Sequence, residues 1–117
     1  MSMEPTFVAL LQVRCPRVYP VAAPVNTERP YITWQHIGGQ SLRFVDNTAA
    51  DKRHTMVQVN VWHSTLASAF ALMRQLEEDL CASTAMQAWP DAEPIDHSEP
   101  DFDTWGCHQD FSVVAAR

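Results

Sequence analysis

His54-Thr-Met-Val-Gln-Val-Asn-Val-Trp-His63, followed at once by Ser64-Thr-Leu-Ala-Ser-Ala-Phe-Ala-Leu-Met-Arg-Gln-Leu-Glu-Glu-Asp-Leu80, is where the hydrophobic pattern changes period. In the first part Val57, Val59 and Val61 alternate with Gln58, Asn60 and Trp62, the two-residue repeat of a strand with one packed face. In the second part Leu66, Ala69, Phe70, Met73, Leu76 and Leu80 recur at spacings of three and four, which predicts a helix over residues 65–81 with one apolar stripe. Ser64 is placed to cap its first turn. A β-branched strand running within two residues into an amphipathic helix predicts that the helix lies on a sheet.

Upstream, Phe7, Leu10 and Leu11 share a helical face, and Pro5 suits a first-turn position because its missing donor costs nothing there. A short amino-terminal helix should end by Cys15, since Pro16 disfavours helical geometry in the residue before it. Pro20, Pro24 and Pro30 exclude a regular helix from residues 17–30 and predict an extended surface connection carrying Tyr19. Tyr31-Ile-Thr-Trp-Gln-His-Ile37 reads as the first strand, ended by Gly38-Gly39. Residues 40–52 form a polar connection too long for a tight turn, through which the two strands can still pair antiparallel.

Downstream, residues 84–89 predict a short third strand and residues 108–115 a last one, with Gln109, Phe111, Val113 and Ala115 on one side. Residues 90–105 read as an acidic loop with a short extended stretch near Ile95. The fold class is therefore α+β: a mainly antiparallel sheet of about four strands, a long helix on one face and a short amino-terminal helix, in a single domain spanning residues 1–117.

A chain of 117 residues has room for one core. It lacks a basic segment followed by an apolar run at its start and any stretch long and apolar enough to span a bilayer, so a soluble intracellular protein is expected. Cys15, Cys81 and Cys107 form no disulfide pattern and no CxxC pair. The net charge of −6 is unevenly spread: residues 75–116 hold ten of the fourteen acidic residues and no Lys or Arg. Such asymmetry disfavours sequence-specific DNA binding and suits a molecule with unlike faces.

Chemistry-bearing residues read as structural ones. His36, His54, His63, His97 and His108 lack zinc-motif spacing. The acids of residues 91–103 lack the oxygen ladder and turn glycine of a calcium loop and read as a solvated loop that can serve as a docking surface. The serines and cysteines have no nucleophile elbow. No catalytic residue, cofactor or metal ligand is assigned. Arg14, Arg17, Arg29, Arg43, Lys52 and Arg53 are candidates for subunit contacts, or for non-specific contact with DNA phosphates. Four tryptophans are many for this length, and Trp89 and Trp105, flanking the acidic segment, are the better interface candidates. With Tyr19, Asp101 and Asp103 they complete the interface set. Glu77, Glu78 and Asp79 near the helix carboxyl end oppose its dipole, a conflict of the sort left by a partner or a basic neighbour, and so point to an interface.

The order of these segments carries a resemblance. Residues 17–20 (Arg-Val-Tyr-Pro), 30–38 (Pro-Tyr-Ile-Thr-Trp-Gln-His-Ile-Gly), 57–64 (Val-Gln-Val-Asn-Val-Trp-His-Ser) and 110–114 (Asp-Phe-Ser-Val-Val) together resemble the small tail-completion proteins of long-tailed bacteriophages and prophages, similar to tail-to-head joining and tail-terminator proteins. The resemblance implies a non-enzymatic ring, usually hexameric, at the head-proximal end of the tail. Such a ring stops tail-tube polymerisation and helps join the tail to the head connector. Implied partners are further copies of the chain, the major tail-tube protein and head-tail connector proteins, with passing DNA touched only non-specifically and no membrane. The implied location is the bacterial host cytoplasm during assembly and then the virion tail. Residues 83–106 depart from the family pattern. Their acidity suits a channel lining that discourages DNA from sticking. Outside this class, the residues leave a small protein-binding or regulatory module, and a small metal-binding protein or enzyme, as alternatives.

Overall fold

The computed structural model describes residues 3–116; of the expected 1–117 domain, residues 1, 2 and 117 lie outside the described residues. In chain order the elements are α1 (Met3–Gln12), β1 (Val18–Pro20), β2 (Tyr31–His36), β3 (Lys52–His63), α2 (Leu66–Ala82), β4 (Gln87–Pro90), β5 (Ile95–Asp96), a 3-10 turn (Pro100–Phe102) and β6 (Trp105–Ala116). The sheet runs β1-β2-β3-β6-β4, with β5 also paired to β6.

The period change lies where the sequence puts it. Val57, Val59 and Val61 are fully buried, and so are Ala69, Met73, Leu76 and Leu80 of α2. Leu72 joins them, widening the stripe by one position. Across the sheet the same face continues as Ile32 and Trp34 on β2 and Cys107, Gln109, Phe111 and Val113 on β6, because register partners share a face. Phe7 and Leu11 of α1 pack into that layer, with the Phe7 ring 6.4 Å from the Trp34 ring. Both helices thus cover one side of the sheet. β3 and β4 run parallel with β6 inserted between them, so β3-α2-β4 is a split β-α-β unit.

Four expectations need correction. The sheet is mixed and has six strands rather than about four. The proline-rich connection contains β1, parallel to β2 through Val18–Ile32 and Tyr19–Thr33. Pro20 is tolerated because β1 is an edge strand, where a missing donor faces away from the ladder. β5 lies at the short extended stretch expected near Ile95, but β6 begins at Trp105 rather than His108 because it extends to match the full length of β3. Thr65, not Ser64, caps α2: its side chain accepts from the Ser68 N–H at 3.1 Å.

The acids at the end of α2 find their partners inside the chain. Arg14 donates from Nε and Nη2 to Asp79 at 2.8 and 3.0 Å, a two-pronged pair that holds the Asp79 carboxyl below its usual range. Glu77 accepts from Gln109 Nε2 at 2.7 Å. The local conflict with the helix dipole marks a tertiary contact.

Leu76 lies at the centre of this core with none of its surface exposed. Leu76→Ala is expected to cost about 2–5 kcal/mol through lost burial and a residual cavity, read as a lowered midpoint in urea unfolding.

Candidate functional site

The alternation that buries the three valines puts Gln58, Asn60 and Trp62 on the side of the sheet away from both helices. Register adds Thr33, Gln35, His108 and Asp110 to that side. Gln35 Nε2 donates to Gln58 Oε1, and Gln58 Nε2 donates to Asp110 Oδ1, each at 3.3 Å, a polar ladder across three strands. The Tyr31 and Trp62 rings stack at 6.3 Å beside it. The ladder pairs three of this face's polar side chains with one another.

At one end of the face, β5 brings His97 back over β6. Its Nδ1 lies 2.9 Å from His108 Nδ1, and its ring sits 4.2 Å from the Trp62 ring. Gly106 makes the room: a Cβ there would lie 2.6 Å from His97 Nε2 and 2.7 Å from the Val61 carbonyl. Burial, then the neighbouring His108, lowers the His97 pKa from its ordinary 6.5 to about 4. Sequence reading missed this pair because the contact depends on a two-residue strand inside a loop.

At the other end, Ser112, His54 and Asp91 meet, and their wiring opposes nucleophilic chemistry. The Gln40 N–H donates to His54 Nδ1 at 2.8 Å, so the neutral ring carries its proton on Nε2, which faces Ser112 Oγ at 3.1 Å. Ser112 gives its own proton to the Asp91 carboxylate at 2.8 Å. The histidine is a donor where a general base must accept. Trp89, 40% exposed, lies nearly parallel over the His54 ring. His36 and His54 project to opposite faces of the sheet, and among the described residues no group of three His, Cys, Asp or Glu side chains is placed to hold a metal ion.

The remaining interface candidates do not form one patch. Arg17 Nε donates to the Pro30 carbonyl at 2.9 Å, a structural tie beside the half-buried Tyr19 of β1. Arg29 Nη1 donates to the Asp103 carbonyl, and Trp105 Nε1 donates to Asp103 Oδ1 at 3.1 Å, which gathers these three residues where β3 ends. Asp101 is exposed on the adjoining 3-10 turn. Arg43, Lys52 and Arg53 are exposed at the opposite end, on or beside the β2-β3 connection.

That connection, read from sequence only as polar, is a small hairpin. Arg43 bridges to Ala49, the Phe44 N–H donates to the Thr48 carbonyl at 3.0 Å, and the Asp46 carboxylate accepts from the Thr48 hydroxyl at 2.7 Å. Its tip is apolar: Phe44 is 60% exposed and Val45 fully so. The signal was present as adjacent Phe and Val inside a polar run.

The family model for the tail completion protein gp17 matches residues 5–115. No curated protein matches the chain.

Folded His97 stays neutral down to about pH 4, whereas the unfolded residue protonates near 6.5. The unfolded chain therefore binds more protons between those values, and stability should fall as pH drops from about 6.5 towards 4. His97→Gln should flatten this slope in urea unfolding at pH 7 and pH 4.5, leaving a remainder from His63, whose pKa burial also lowers. Equal slopes in both proteins would remove His97 as the cause.

Proposed function

The chain belongs to the family of the tail completion protein gp17 and has a structural role in completing a phage tail; from that membership we propose that it forms a closed ring at the head-proximal end of the tail, ends tail-tube polymerisation and joins the tail to the head connector. The observation that carries the reading is the family match across residues 5–115, nearly the whole folded chain. The mechanism is steric and adhesive. Copies pair around a closed symmetry axis, one ring face covers the terminal tube ring and the other receives the connector.

Two features of the fold support this. The domain is elongated, 54 × 25 × 24 Å, and both ends carry exposed apolar side chains while differing in charged residues, which suits a head-to-tail contact between copies. Groups of its polar side chains are hydrogen-bonded to one another, as in the ladder and the Ser112–Asp91 contact. Contact with DNA passing through the ring would be through exposed Lys and Arg, weak and sensitive to salt.

Purified protein added to tail-tube protein during polymerisation is expected to arrest tube growth, and electron microscopy should show a closed ring on one end of each tube. Tubes that continue to lengthen with bare ends would contradict the proposal.

A further inference from the structure

We infer that the hairpin between β2 and β3 is the arm by which one copy of this chain docks on the next, seating Phe44 and Val45 against Ile95 and Phe102 at the far end of the neighbour. The inference rests on the ring reading above and names the contact that would close the ring.

The arm has the properties of a docking element. Its hydrogen bonds are spent on its own shape: Arg43 Nη1 donates to the Asn47 carbonyl at 3.0 Å, the Asn47 N–H donates to the Phe44 carbonyl at 2.8 Å, and Asp46 closes the turn on Thr48. Asn47 takes the left-handed conformation that such a turn needs, at φ 71°. At the base, Gly39 has φ +136° and its Cβ position would lie 2.5 Å from the His54 carbonyl oxygen, so the chain leaves the sheet by a path that only glycine follows without strain. A turn preorganised in this way presents most of Phe44 and all of Val45 to solvent.

The receiving surface is at the opposite end. Lys52, beside the arm, pairs with Ala116, whereas Trp105 pairs with His63. The two ends of this ladder are about 36 Å apart at the usual rise per residue. Towards this end lie two large exposed apolar side chains, Phe102 of the 3-10 turn at 77% exposure and, three positions in from Trp105 beside His108, Ile95 of β5 at 56%. Charge complements the apolar match. Arg43, Lys52 and Arg53 lie on or beside the arm with Asp46 and Asp51, while Asp96, Glu99, Asp101 and Asp103 lie within six residues of Phe102 in the chain, with Arg29 the cation against Asp103. Unlike ends on one chain cannot meet within it. Joined between copies they make a heterologous contact, the kind that closes into a ring when the rotation permits.

Disulfide trapping tests this in rings assembled on tail-tube ends. In a Cys81→Ser background, which removes the exposed thiol and leaves the buried Cys15 and Cys107, Val45→Cys is combined with either Phe102→Cys or Ile95→Cys. Oxidation is expected to give covalent multimers of this chain ending at the ring's subunit number, and none from any single added cysteine. Rings that cap tubes yet remain monomeric on non-reducing gels with both pairings would overturn the arm contact while sparing the ring reading. Adducts between Val45→Cys and the tube protein would overturn it in favour of a tube contact. Bare tube ends with the Cys81→Ser parent would overturn both.

Discussion

The long antiparallel register between β3 and β6 is the constraint on which the rest depends. Each strand is 12 residues long, and their pairing runs from Lys52–Ala116 to His63–Trp105. Because side chains alternate along both strands, this one register sends Val57, Val59 and Val61 together with Cys107, Gln109, Phe111 and Val113 beneath the helices. It also sends Gln58, Asn60, Asp110 and Ser112 to the other face. A slip of one residue would turn one strand over against the other, leaving either the valines of β3 or the apolar residues of β6 on the wrong face. The ladder also holds the arm and the acidic segment apart, so the molecule's asymmetry follows from its core.

Legibility in the sequence tracked how local the cause was. The Val57–Val59–Val61 alternation and the α2 stripe are periodic over many residues, and their burial follows from that period alone. β1 was hidden because Pro20 masks a strand whose pairing is parallel and three residues long. A short extended stretch near Ile95 was legible, but the His97–His108 contact was hidden because the loop's return onto β6 depends on tertiary fit at Gly106. The ties of Arg17 and Arg29 to backbone carbonyls were not legible, since each joins segments distant in sequence. The acids of α2 were read as pointing to an interface through a partner or a basic neighbour; Asp79 and Glu77 instead meet Arg14 and Gln109 within the same chain.

The surface separates into parts with different physical character. The uncovered sheet face is a hydrogen-bonded ladder with aromatic rings at its margins, suited to exposure to water. The ends instead leave Phe44, Val45, Ile95 and Phe102 exposed, at the cost that exposed apolar side chains always carry in water. A monomeric role gives no return for that cost, whereas assembly between copies does. The same split explains why His54, Ser112 and Asp91, a trio of suggestive residue types, serve the fold: Asp91 and the backbone of Gln40 fix their protons in a structural pattern.

The central claim is a location as much as a fold, and a cryo-electron microscopy reconstruction of the head-proximal end of the assembled tail tests it most directly. The account predicts a single closed ring there, between the last tube ring and the head connector, whose density fits this six-stranded sheet with its two helices on one side. Density for the chain repeated along the tube, confined to the distal tip, or absent from the particle would contradict it.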